Sequence, residues 1–289
     1  VVIAPARVTR PHDNVAHPQS ECPFCPGQEG LNKTVFSVGN VRVIANKYPI
    51  TDFHEVIIHS PDHDKDIDEL PTEQVELILN VYRQRYNYYN LPAGRQESKG
   101  TVMIFNNHDI HAGASLAHPH SQLVVVPKQI NLDAMKKEPV QNVVVESKEF
   151  VAYCPDFSQW PYEIWIAPLC HPELVSGSPA NAGNSHPGEI PGQARNDTTF
   201  GQITDEQIKD LAPLLQKILK VVVNRFRLGG RNDTEEDIPY NFYIYHGNDW
   251  YLRIIPRLIH RAGFELGTGL SVNIVDPVKA AEEYKKGIA

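Results

Sequence analysis

Two stretches of the chain carry apolar residues at helical spacing, and the segments around them read as strands. Residues 72–90, TEQVELILNVYRQRYNYYN, put Val75, Ile78, Leu79 and Tyr82 on one face, with Thr72 as the expected N-cap. Residues 204–227, TDEQIKDLAPLLQKILKVVVNRFR, repeat the theme and open with Thr204 and Gln207 at capping-box spacing. Pro213 falls inside this second helix, where it removes one amide donor and predicts a kink. A β-rich segment precedes each helix, FHEVIIHSPDH and PYEIWIAPLCH. Another follows each, TVMIFNNH at 101–108 and YNFYIYHG at 240–247. Each series closes on an apolar strand ending in proline, QLVVVP at 122–127 and YLRIIP at 251–256.

The two series superpose, so the pattern predicts an α+β fold built by tandem duplication. The expected halves are residues 1–135 and 136–289, each an antiparallel arrangement with one long helix packed against it. Matching the β-rich segments sets Glu55 against Glu163 and His63 against His171. The match then breaks: His63 to Gln74 spans 11 positions, but His171 to Gln207 spans 36. The excess falls at about 172–199, in a stretch rich in Pro, Gly, Ser and Asn with no helical or strand period. Its PELVSGS and GQARND ends resemble translated palindromic repeats inserted in frame in some bacterial genes. A dispensable surface insertion fits this better than an active-site lid.

Candidate chemistry concentrates in GASLAHPHSQLVVVP, residues 113–127. Side chains at i, i+2 and i+4 of a strand share a face, so His118, His120 and Gln122 can project together. Pro119 stiffens the link between the imidazoles, and Gly113, Ala114 and Ser115 allow a ligand close to the backbone. An HxH alone is also compatible with two solvated histidines. Aligning Pro127 with Pro256 places Gly247, Asp249 and Tyr251 opposite His118, His120 and Gln122, so only one half carries the imidazoles. Upstream, Cys22 and Cys25 have the spacing of a zinc knuckle, although a CxxC can also be redox-active or inert. A structural zinc site needs two further ligands, and spacing alone does not select them from 13 histidines.

Composition narrows the class. With 41% hydrophobic residues the chain can bury a sizeable core, and a net charge of −8 argues against a general nucleic-acid or membrane-surface binder. Four cysteines in 289 residues do not make a disulfide scaffold, and a cytoplasmic enzyme is expected. The chain opens at VVIAPARV without methionine, so further sequence is expected ahead of it.

CPFC, SPDHDKDIDEL, FNNHDIHAGASLAHPH with the following Gln122, and PRLIHRAGFELGTG together resemble the galactose-1-phosphate uridylyltransferases of the histidine-triad superfamily. The resemblance implies a duplicated histidine-triad unit and one structural Zn²⁺ held by Cys22, Cys25, His63 and His118. It implies His120 as nucleophile, with Gln122 at the transferred phosphoryl group and Ser115 and Asn107 at the phosphates. Arg7 and Arg10 match residues that meet the diphosphate, and Asn46 a nucleoside contact. Phe264 and Glu265 match part of a hexose-phosphate site completed across a homodimer. The implied reaction exchanges UMP between UDP-glucose and galactose-1-phosphate through a uridylyl-histidine. Some members carry a second metal site; here the corresponding positions read Asp249-Trp250-Tyr251, and a second metal is not expected. The alternatives are a nucleotide-sugar or dinucleoside-polyphosphate phosphorylase of the same superfamily, or an idle nucleotide-binding module.

Overall fold

The computed structural model describes residues 4–9, 22–90, 100–127, 130, 132, 140–169, 198–225 and 238–288. Among them, ten strands form one antiparallel sheet. The first half supplies β1 (Thr34–Val38), β2 (Val41–Ala45), β3 (His54–Ile58), β4 (Gly100–His108) and β5 (His120–Pro127). The second supplies β6 (Val143–Glu146), β7 (Phe150–Tyr153), β8 (Ile164–Pro168), β9 (Tyr240–Ile244) and β10 (Leu252–Pro256). The order across the sheet is β1-β2-β3-β5-β4-β9-β10-β8-β7-β6. It reads the same from either edge once each half is numbered from its own first strand. The duplication is therefore a property of the fold. The two antiparallel arrangements join in one continuous sheet, because β4 and β9 pair directly, from Ile104 opposite Ile244 to His108 opposite Tyr240.

Helices α1 (Thr72–Asn90) and α2 (Asp205–Arg225) cover one face. Val75, Ile78, Leu79 and Tyr82 of α1 are buried in one cluster with Ile104, Leu123 and Val125 of the first half and Ile244, Leu252 and Ile254 of the second. The predicted capping box is formed: the Gln207 backbone N–H donates to Thr204 Oγ1 at 3.1 Å and the Thr204 backbone N–H to Gln207 Oε1 at 3.0 Å. Pro213 lies inside α2 as read from the sequence. Thr72 does not act as a cap; its hydroxyl donates to Gln216 Oε1 at 2.8 Å. The Gln216 amide in turn donates to Ile67 and Leu70 carbonyls at 2.9 and 2.7 Å, tying the entry of α1 to α2.

The match of Glu55 with Glu163 does not survive the strand registers. With Leu123 and Leu252 equivalent, β3 sets Glu55 opposite Leu123 and β8 sets Ile166 opposite Leu252. Glu55 thus corresponds to Ile166, three positions from the residue chosen by identity. An odd slip exchanges the faces of a strand. Glu55 points to the helix layer, where the Arg85 guanidinium grips it with two donors at 2.9 and 2.5 Å and the Tyr89 hydroxyl donates at 2.7 Å. Glu163 sits on the other face, bound by Arg253 and the Trp165 indole. Replacing Arg85 with Leu strands the buried Glu55 charge, and urea unfolding is expected to show a loss of about 3 kcal/mol. An unchanged midpoint would contradict that role.

Candidate active site and metal centre

On the face away from the helices, the segment following Cys22 lies against β2 and β3. Cys22, Phe24 and Cys25 pack with Ile44, Val56 and Ile58 in a small apolar cluster of their own. This cluster brings together residues far apart in sequence. Ligand atoms of Cys22, Cys25, His63 and His118 all lie within 4.8 Å of one another, and all four residues are buried. Cys25 Sγ is 3.2 Å from His63 Nδ1 and 3.4 Å from His118 Nδ1. These separations suit tetrahedral bonds of about 2.3 Å to sulfur and 2.0 Å to nitrogen. His118 Nε2 donates to the Ser60 carbonyl at 2.9 Å, which fixes the ring with its Nδ1 lone pair facing the cluster. Burial and the neighbouring Cys22 push the Cys25 thiol up to about 11, so its thiolate form needs a cation beside it. The donor set fits one metal ion.

His120 opens β5 two residues beyond His118 of this cluster. Its Nδ1 donates to the His118 carbonyl at 2.8 Å, leaving the lone pair on Nε2. Burial pushes its pKa down to about 4, so the ring is a neutral imidazole near pH 7. Phe24 meets it edge-on at 5.2 Å between centroids. The Asn106 amide supports the His120 carbonyl at 3.0 Å.

His120 is a wall shared by two cavities of different character. The first, about 280 Å³, is lined largely by apolar and aromatic side chains including Phe24, Leu31, Ile44, Tyr48 and Val56. Ser115, Asn46 and Gln122 also face it. The second, about 330 Å³, is polar and is lined by Asp64, Asp66, Asn107, His108 and Asp109. An imidazole between an apolar cavity and a polar one can divide a ligand into an aromatic part and a hydroxylated part.

Most of the sequence-predicted residues converge here. Arg7 approaches the apolar cavity by donating to the Tyr48 carbonyl at 3.1 Å. Arg10 lies outside the described residues. So do Cys170, His171 and the predicted insertion, apart from Thr198 and Thr199. Phe264 and Glu265 sit in α3 (Gly263–Thr268) and line neither cavity; Phe264 is 56% exposed. Glu265 Oε2 accepts from the Ala262 N–H at 3.0 Å.

Sequence reading missed the supports. The Asn241 amide, on β9 of the second half, donates to Asn107 Oδ1 and to the Ala112 carbonyl, both at 2.8 Å. It thereby holds the loop that carries Ser115, which turns at Gly113 through a φ of 92° open to glycine. Asp66 is buried beneath the polar cavity. Burial would raise its pKa, but the hydrogen bond with His108 and the nearby His59 ring, 3.5 Å away, outweigh that and hold it well below the usual carboxylate range. His108 Nδ1 lies 2.7 Å from Asp66 and its ring stacks on Tyr240. His54, on β3, reaches Gln122. Asp66 and His108 fall inside the stretches SPDHDKDIDEL and FNNHDIHAGASLAHPH without standing out there, and no motif marks His54 or Asn241, because each acts across strands rather than along the chain.

In the second half the equivalent face is filled. Tyr251, at the position of Gln122, stacks on Trp165 at 4.0 Å and on Tyr245 at 4.8 Å, with Tyr153 packed alongside. Aromatic rings occupy the space that the first half leaves open.

The chain has known relatives. Residues 6–129 match the N-terminal domain of a family described as a domain of unknown function, DUF4931. Over 99% of its length the chain is 27% identical to ADP-glucose phosphorylase of Arabidopsis thaliana, covering 89% of that protein. It is 22% identical to galactose-1-phosphate uridylyltransferase of Thermotoga maritima, with 99% and 94% covered. Among solved structures, a GalT-like protein from Arabidopsis thaliana superposes with a TM-score of 0.69 at 25% identity, over 92% of this chain and 91% of that one.

Proposed function

Because the chain is a homologue of the galactose-1-phosphate uridylyltransferases and of ADP-glucose phosphorylase, we propose that it moves a nucleoside monophosphate from a nucleotide sugar to a phosphate-bearing acceptor by way of His120. The observation that carries this reading is a neutral imidazole, tied by Nδ1, standing between an apolar and a polar cavity. The base and ribose take the apolar cavity, and the sugar phosphate takes the polar one.

In the first step His120 Nε2 attacks the α-phosphorus. A P–N bond forms, and the bond to the bridging oxygen breaks as the sugar phosphate leaves with the electron pair. A phosphate is a weak base, so its departure requires no proton donor. Charge on the equatorial oxygens is met by the Gln122 amide, the Ser115 hydroxyl, Asn107 and the guanidinium groups of Arg7 and Arg10. In the second step an acceptor phosphate oxygen attacks the same phosphorus and the P–N bond breaks, returning neutral His120. Bound at Cys22, Cys25, His63 and His118, a Zn²⁺ would supply cross-linking and no open coordination position. It would fasten the Cys22–Cys25 segment to the strand that starts with His120.

The specific reaction we assign is UMP exchange between UDP-glucose and galactose-1-phosphate, in the cytoplasm, by a homodimer. The dimer is supported by α3 and the segment after it, which expose Phe264, Leu266, Leu270, Val272 and Ile274. Such an arm suits burial against a second copy, carrying Phe264 and Glu265 to the partner's polar cavity. A second reading, adenylyl transfer from ADP-glucose to inorganic phosphate, is favoured by the near full-length match to ADP-glucose phosphorylase. The two separate in one experiment: the enzyme is supplied with UDP-glucose or ADP-glucose, each with galactose-1-phosphate or inorganic phosphate, and products are resolved by ion exchange. UDP-galactose supports the first reading and ADP from ADP-glucose plus phosphate the second. No turnover of either nucleotide sugar overturns both.

A further inference from the structure

A glutamine amide has two ends of nearly equal size and opposite chemistry. Its NH₂ attracts a phosphoryl oxygen, and its carbonyl repels one. A buried Gln122 is therefore useful to an anionic substrate in only one of its two orientations, and something must choose. His54 makes that choice. The backbone N–H of Ile50 donates to His54 Nδ1 at 3.0 Å, so the lone pair of the neutral ring lies on Nδ1 and the proton on Nε2. His54 Nε2 lies 3.0 Å from Gln122 Oε1 and 3.1 Å from the Asn46 amide nitrogen; with its proton on Nε2 the ring can donate only to the first, since the Asn46 nitrogen is itself a donor. The amide carbonyl is thus taken by a donor, and the NH₂ is the end left for the cavity that Gln122 lines beside His120.

The lock is itself anchored. His54 is buried on β3, and its carbonyl accepts the Asn46 N–H at 2.8 Å. The neighbouring Phe53 carbonyl accepts the Val125 N–H of β5 at 3.0 Å. Val56, two residues along, stands opposite Gln122 in the pairing of β3 with β5, so His54 reaches it along the diagonal.

We infer that His54 is a positioning residue for nucleotidyl transfer: it holds the Gln122 amide with its NH₂ toward the reacting phosphoryl group. The inference rests on the reading of His120 and Gln122 given above. Losing one donor to developing charge typically costs about 10²–10³-fold in rate. His54→Phe keeps the ring volume but frees the amide, and is expected to slow nucleotidylation by about 10–100-fold with little change in nucleotide-sugar KM. His54→Gln, which retains a donor toward Gln122, is expected to restore part of that loss.

The test is a double-mutant cycle in single-turnover nucleotidylation, using whichever nucleotide sugar labels the wild-type protein, together with a long-range ¹H–¹⁵N spectrum of the histidine rings. In a Gln122→Ala background, His54→Phe should cost less than about 2-fold further, since a lock without its target has nothing to hold. The His54 signal, assigned by its disappearance in His54→Phe, should be that of the Nε2–H tautomer. Equal losses in both backgrounds, or a wild-type rate in His54→Phe, would overturn the assignment. So would an Nδ1–H tautomer, which is read without any turnover. Absence of labelling in the wild type counts instead against the proposed reaction.

Discussion

His120→Gly is expected to abolish nucleotidyl transfer, lowering turnover by roughly 10⁴- to 10⁶-fold while nucleotide-sugar binding stays within a few-fold of wild type. The size follows from the mechanism. A two-step exchange has no route around its nucleophile, whereas the base, the ribose and the phosphates are held by other residues. The substitution leaves the fold intact, because among the described residues the His120 side chain makes one hydrogen bond, a local one from Nδ1 to the carbonyl two residues back. A binding module would keep both affinity and whatever function it has. Steady-state exchange and equilibrium dialysis of the same variant therefore separate the two classes. Turnover within about 10-fold of wild type would remove His120 from the chemistry.

The second large effect concerns the metal. Chelation, or Cys25→Ala, is expected to reduce bound metal from about one equivalent per chain to none, as counted by mass spectrometry of the ion. Residues 22–32 and the start of β5 should then lose protection in hydrogen exchange by on the order of 10³-fold, equivalent to about 4 kcal/mol. The effect should stay local. The cluster around Cys22 and Cys25 is separate from the large core formed by α1, α2 and both halves of the sheet, so the helices should keep their protection. Activity falls because Phe24, which the segment places against His120, loses its anchor. A metal-free protein with unchanged exchange in residues 22–32 would contradict the structural role.

How far these sites can be read from sequence depends on which direction the contacts run. His118, His120 and Gln122 are legible because alternate positions of one strand share a face, and the rare residue types stand out there. The two helices are legible because their apolar period is local. Cys22 and Cys25 mark a metal site by spacing, but their partners His63 and His118 needed the family resemblance, since no spacing rule spans 93 residues. His54 was invisible because its partner lies on a neighbouring strand, and register is not written in either segment alone. The same limit produced the mistaken pairing of Glu55 with Glu163. Identity of residue type competed with register, and a three-residue slip moved the glutamate to the wrong face. Asn241 was hidden for a related reason: its targets belong to the other half, and the direct pairing of β4 with β9 was not foreseen.

The second half can be described in the same terms. Its strands keep the apolar face that packs on α2, so the core pattern persists. Its other face carries the Tyr245–Tyr251–Trp165 stack and the Glu163–Arg253 pair. That half supports, through Asn241, the loop of the half that carries the imidazoles.

The central claim, a covalent nucleotidyl-histidine, has a direct measurement. The protein is mixed with UDP-glucose or ADP-glucose without acceptor, quenched at alkaline pH to preserve a P–N bond, and examined by intact mass and peptide mapping. The account predicts a mass increase of one nucleoside monophosphate from one of the two donors. It should be located on His120, lost in acid, and discharged by galactose-1-phosphate or phosphate. A protein that turns over a nucleotide sugar yet never carries that mass, or carries it on another residue, would contradict it.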